Sequence, residues 1–121
     1  MMGMIRSEKV NNIHEIDTIS YFTELMSLAV KPAKIYLFGS FTTGQDNEDS
    51  DYDFYIVLDD SDTKSRQEAN KMAYQSLRHK MNRDVDIIVD YETSFKEQAK
   101  RKISLEKIIL EEGVILYESN K

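Results

Sequence analysis

Between Ile13 and Val30 the apolar residues Ile16, Ile19, Phe22, Met26, Ala29 and Val30 recur at three- to four-residue steps. That is the period of an amphipathic helix, and Pro32, the single proline, closes it because the residue before a proline is driven out of helical geometry. The pattern then changes. Ala33 to Phe38, AKIYLF, is short, apolar and rich in residues that favour strands, and it ends at Gly39-Ser40, which predicts a buried strand followed by a turn. Phe41 to Ser50 is polar and contains Gly44; Asp51 to Leu58, DYDFYIVL, resumes a strand pattern and is expected to pair with the preceding strand. Ser65 and Glu68 have the spacing of a capping box ahead of Ala69, Met72, Ala73, Leu77 and Met81, which predicts a second helix reaching about Asn82. Val85 to Val89, VDIIV, reads as another short strand, and Ser94 with Glu97 offers a further capping box before Leu105, Ile108 and Ile109. Gly113 is placed as a helix stop, with a last strand over Val114 to Tyr117. Helices and strands interleave without repeat or linker.

Composition narrows the functions open to such a fold. At 121 residues and 14.1 kDa the chain is one domain, 1–121, read as an N-terminal helix at about 13–31, a core at about 33–90, and a helical segment with a last strand at about 94–118. There is no cysteine, which excludes disulfides, thiolate zinc sites and cysteine nucleophiles. Sixteen Lys and Arg against 22 Asp and Glu give a formal charge of -6, the wrong sign for gripping a nucleic acid backbone. The N-terminus has no secretory pattern and no stretch has the length of a membrane span, so a cytoplasmic location with no membrane contact is expected. Gly3 and Ser7 match a myristoylation pattern only if translation starts at Met2, and that pattern is frequent by chance. The charge is unevenly spread. Between Ile35 and Thr63 there are eight acids and no Lys or Arg, while the rest of the chain carries +2.

Asp51 and Asp53 stand two apart on a predicted strand, so their side chains leave one face while Tyr52 and Phe54 leave the other. Two unit charges about 4 Å apart repel by roughly 4 kcal/mol at an effective dielectric of 20, and a bound cation offsets that. Carboxylate oxygens suit magnesium or calcium. An EF-hand is excluded, because a calcium loop starting at Asp49 would need Gly at position 54 and Glu at 60, where Phe54 and Asp60 stand. Asp86 faces away from Val85 and Ile87, so an adjacent strand could add a third carboxylate. Gly39-Ser40 at a strand end lets backbone N–H groups approach an anion and adds a hydroxyl. Taken singly these features have plain readings: Gly-Ser is an ordinary turn, Asp-x-Asp an ordinary solvated loop, and an isolated strand aspartate an edge device. His14 and His79 have no partner for nucleophilic chemistry, and Lys96, Lys100, Arg101 and Lys102 read as a solvated face.

In order and spacing, LFGSFTTGQDNEDSDYDFYIV closely resembles the signature of the DNA polymerase beta-type nucleotidyltransferase superfamily: Gly39-Ser40, ten residues, then Asp51 and Asp53, with Asp86 in the place of the third aspartate. The small size and the ending LEKIILEEGVILYE resemble its minimal nucleotidyltransferase branch, so the likeness spans about Ala33 to Glu118. The resemblance implies the nucleotidyltransferase fold, of class α+β, with a mixed β-sheet packed against helices. Asp51, Asp53 and Asp86 would be catalytic and would hold magnesium, as two ions; Asp86 would also help activate the attacking hydroxyl, and Gly39 and Ser40 would hold the triphosphate of ATP or another nucleoside triphosphate. Where relatives carry GSRARG or GSYAKG, this chain has Phe41, Thr42 and Thr43, so a charge partner for the triphosphate would have to be Lys64, Arg66 or a basic residue elsewhere.

The activity implied is transfer of a nucleotide, AMP from ATP in the leading case, to a hydroxyl of a partner protein, with this chain as antitoxin to a HEPN-type toxin. A short chain leaves little room for its own acceptor pocket, which favours a partner that brings the acceptor. Two alternatives stand beside it: transfer to a small molecule such as an aminoglycoside, and a non-catalytic module that neutralises its partner by covering it. Association into homo- or hetero-oligomers stays open.

Overall fold

A computed structural model describes residues 13–120; the Gly3 and Ser7 pattern lies outside them. Along the chain run helix α1 (Ile13–Val30), strand β1 (Lys34–Phe38), helix α2 (Ser40–Thr43), strand β2 (Tyr52–Leu58), helix α3 (Arg66–Ser76), strand β3 (Val85–Tyr91), helices α4 (Glu92–Ala99) and α5 (Leu105–Glu112), and strand β4 (Val114–Glu118). The four strands form one sheet in the order β3-β2-β1-β4. β1 lies antiparallel to both β2 and β4, whereas β2 and β3 are parallel. The sheet is therefore mixed and packed against helices, the α+β fold class expected.

Strand alternation divides the core in two. Ile35 and Leu37 of β1, Tyr52, Phe54, Ile56 and Leu58 of β2, and Val85, Ile87 and Val89 of β3 join Ile19, Phe22, Met26 and Val30 of α1 and Ala69 and Ala73 of α3 in one large cluster. On the opposite face Tyr36, Tyr55 and Val57 pack with Phe95 of α4 and Ile109 of α5, with Tyr36 stacked on Phe95 at 5.4 Å between centroids. Removing these side chains from water is the main favourable term in folding. The second cluster is smaller, with Phe38 packed against it.

Element ends follow local chemistry. α1 stops where Lys31 takes a positive φ of 54° and donates to Ser27 O before Pro32. Ser65 accepts from the Glu68 N–H at 3.0 Å and so caps α3. α3, however, ends at Ser76 rather than near Asn82: Leu77 leaves helical geometry, His79 has φ 64°, and Met81 lies 45% exposed. The chain has to reverse there because the Tyr52 N–H takes the Asp84 carbonyl at 3.0 Å at the start of the parallel pairing. The Ser94 box does not form. α4 begins at Glu92 directly after β3; Asp60 accepts its Thr93 N–H at 3.0 Å, while Asp90 accepts the Tyr91 N–H at 2.8 Å and the Ser94 hydroxyl at 2.6 Å. Ser104 caps a separate helix, α5, and Gly113 closes it by donating to Ile109 O at 2.8 Å.

Candidate functional site

β1, β2 and β3 bring their site-bearing ends to one end of the sheet. Asp53 is paired in register with Asp86 on the parallel neighbour and with Phe38 on the antiparallel one. Because alternate residues share a face, Asp53 and Asp86 point to the same side while Tyr52, Phe54, Val85 and Ile87 enter the large core. The two carboxyl groups are hydrogen-bonded, and Asp51, just ahead of β2, acts on Asp53 through space. Burial, followed by the Asp86 and Asp51 charges, pushes the Asp53 carboxyl up to about 6. Like charges thus gather here with no cationic side chain among the causes of the shift.

Gly39 follows Phe38 with φ 83° and ψ -155° and turns the chain from β1 into α2. A left-handed φ favours glycine, and the space is also taken: a Cβ built on Gly39 would lie 2.3 Å from Asp53 Oδ2. Ser40 opens α2, whose Phe41 is 2% exposed and anchors the helix against Tyr52 at 5.1 Å between ring centroids. Thr42 and Thr43 turn their hydroxyls back onto Gly39 O and Ser40 O, leaving Ser40 as the residue of this turn that the sequence marks for phosphate. The five residues singled out from the sequence, Gly39, Ser40, Asp51, Asp53 and Asp86, thus meet at one end of the sheet.

The donor set suits a hard cation: carboxylate oxygens only, two of them in contact, and a repulsion that a divalent ion would offset. Among the described residues no group of three or more His, Cys, Asp or Glu is already closed into a chelating set; Asp51 remains a charge acting across space on the Asp53 and Asp86 pair. Beside them opens a cleft of about 560 Å³ lined by Asp51, Asp86, Tyr74, Met81, Asn82 and Asp84 among others.

Neither basic residue first suggested for the triphosphate serves it. Lys64 pairs with Asp62 at 3.0 Å and Arg66 with Asp90 at 2.7 Å, and Asp90 stands four strand residues, about 13 Å, from Asp86. Arg83 was missed by sequence pattern: it lies in the turn after α3, belongs to no periodic face, and only the register of β3 brings it behind Asp51. The one signal available was its position three residues ahead of a strand aspartate.

The family model described as Polymerase beta, Nucleotidyltransferase matches residues 19–121. No curated protein matches the chain. Among solved structures, one from Sulfolobus solfataricus, assigned as a nucleotidyltransferase, has a TM-score of 0.60 at 19% identity and covers 90% of this chain and 85% of its own. A toxin–antitoxin structure with AMP-PNP has a TM-score of 0.55 at 21% identity, covering 84% of this chain and 74% of its own.

Proposed function

The chain belongs to the polymerase beta-type nucleotidyltransferases and is an enzyme of that class, and we propose that it transfers AMP from ATP to a hydroxyl of a partner protein, acting as the antitoxin of a toxin–antitoxin pair whose toxin is of HEPN type. The observation that carries the catalytic half is the in-register meeting of Asp53 and Asp86 beneath the close approach of Gly39. Asp51, Asp53 and Asp86 would hold magnesium, and Gly39 and Ser40 the triphosphate. Magnesium bound there would supply Lewis acidity for an in-line displacement, stabilising charge on the attacking and leaving oxygens.

Asp86, exposed on its strand face, takes the proton of the acceptor hydroxyl. The acceptor oxygen forms a bond to the α-phosphorus, the bond from that phosphorus to the bridging oxygen breaks, and pyrophosphate leaves. The half-buried Asp53 carboxyl anchors the site from within the sheet. An acceptor on a macromolecule is supported by the open cleft beside Asp51 and Asp86 and by the toxin–antitoxin fold neighbour. No helix among the described residues is long and apolar enough to cross a membrane.

A second reading has its own support. The triphosphate turn carries Phe41, Thr42 and Thr43 in place of basic residues, and Lys64 and Arg66 are engaged at the far end of the sheet; a chain that covers its partner without modifying it fits those facts. Incubation with α-labelled ATP, magnesium and the product of the adjacent gene separates the two. Label on the partner, lost in Asp51→Asn plus Asp53→Asn, supports transfer; no label with any of the four nucleotides, together with undiminished neutralisation by the double variant, favours covering.

A further inference from the structure

Arg83 lies between α3 and β3, three residues ahead of Asp86. Its Nη1 donates to the carbonyls of Asn47 at 3.1 Å, Glu48 at 3.3 Å and Ser50 at 2.8 Å. Its Nη2 donates to Glu15 Oε1 at 2.8 Å, and Glu15 in turn accepts from the Tyr52 hydroxyl. The guanidinium carbon stands 5.2 Å from the Phe41 ring centroid and 5.4 Å from that of Tyr52, a cation–π arrangement. One side chain, from the turn that leads into the strand of Asp86, therefore touches α1, the helix after Gly39-Ser40, the loop ahead of Asp51, and Tyr52 at the start of β2.

The chemistry of this contact is particular to arginine. Three carbonyl oxygens and a carboxylate converge on a planar fork whose donors point in fixed directions; a lysine ammonium is a compact point charge that cannot span them. The Arg83 side chain is only 18% exposed, and its Nε is buried with no hydrogen-bond partner. An unpaired buried donor is unfavourable, so the side chain keeps this pose against a local penalty. Nη1 and Nη2 are both bonded to protein oxygens, so the guanidinium is engaged within the protein. The Ser50 carbonyl it holds belongs to the peptide that leads into Asp51.

We propose that Arg83 is a positioning residue: by strapping the 47–50 segment to β3 it sets Asp51 relative to Asp86, and so fixes the spacing of the carboxylates that receive the metal nucleotide. The purpose of that spacing rests on the function proposed above; the strap does not.

The test compares Arg83→Met, Arg83→Lys and the milder Glu15→Gln, which leaves the three carbonyl contacts in place. Amide exchange of the metal-free full chain should quicken over 46–53 in both Arg83 variants, and less in Glu15→Gln, with β1 and β4 unchanged. Uniform quickening across the sheet, or none, overturns the strap. Manganese titration followed by thermal shift should show half-saturation raised about tenfold in the Arg83 variants, in the range typical of residues that orient metal ligands. Placed on Asp51→Asn, the same changes should add nothing; full additivity would mean Arg83 does not act through Asp51. If wild type shows no manganese-dependent shift, the metal reading falls, while the exchange data still decide whether Arg83 holds the loop.

Discussion

At Asp53, burial and the Asp86 and Asp51 charges push the carboxyl up to about 6 from its ordinary 3.8. At neutral pH the folded chain without metal thus holds an ionised group that the unfolded chain solvates more easily. Replacing it by asparagine removes the repulsion and keeps the shape. Each pKa unit corresponds to about 1.4 kcal/mol, and after discounting for the screening of a half-buried group the expected gain is about 1 kcal/mol. Asp53→Asn should therefore melt a few degrees higher than wild type in EDTA at pH 7.5 while losing nucleotidyl transfer. A variant that melts lower, with the same two-state transition, would mean that Asp53 is better satisfied in the fold than its neighbours suggest. Gly39 belongs to the same economy of space, since Asp53 Oδ2 occupies the position a Cβ would take.

At the scale of elements, Asp90 joins three of them. It lies near the end of β3, receives Arg66 from the first turn of α3, and takes the Tyr91 N–H and the Ser94 hydroxyl where α4 starts. Burial opposes its charge, yet the hydrogen bonds from Ser94, Arg66 and Tyr91 outweigh burial and hold its carboxyl below the ordinary 3.8. A folded-state value below the unfolded one contributes stability that is fully present above pH 4 or so and is lost as pH falls through the folded value. Asp90→Asn should accordingly cost about 1–3 kcal/mol in urea unfolding at pH 7, and the gap to wild type should narrow below about pH 3.8. A gap that stays constant to pH 3 would show that shape rather than charge is what the site needs. This junction also marks the limit of what the sequence discloses. Ser94 and Glu97 carry the right spacing for a helix start, but α4 begins at Glu92, and the carboxylate that takes its Thr93 N–H is Asp60, 33 residues earlier. Local spacing cannot report a partner supplied by strand geometry. The strands themselves are legible because Ile35, Phe54, Ile87 and their neighbours alternate with residues of the opposite face. Asp51, Asp53 and Asp86 are legible as candidates for the same reason, yet their meeting depends on the parallel register of β2 and β3, and Arg83 becomes visible only once that register is known.

Across the whole molecule the acidity of residues 35–63 divides into two groups with different roles. Asp59, Asp60 and Asp62 lie past the end of β2, where Asp59 accepts from Ser61, Asp60 from Thr93, and Asp62 from the Lys64 N–H while pairing with its ammonium; these are turn and cap carboxylates satisfied by protein. Asp46, Glu48, Asp49, Asp51 and Asp53 precede or open β2, and Asp84 and Asp86 join them from β3. The net charge of -6 is thus a field weighted toward the sheet end that carries Gly39 and Ser40. Monovalent salt screens both groups alike, whereas a cation bound at one place stabilises only the state that presents that place, by RT ln(1 + [L]/Kd), or about 2.7 kcal/mol at a hundredfold excess over Kd. Magnesium should then raise the melting temperature well beyond an equal ionic strength of sodium chloride. The magnesium-specific part should vanish in Asp51→Asn and persist in Asp62→Asn, because Asp62 already has its cation in Lys64. Equal responses in the two variants would reduce the effect to general screening of an acidic surface, and the carboxylates of β2 and β3 would then have no claim to an ion of their own.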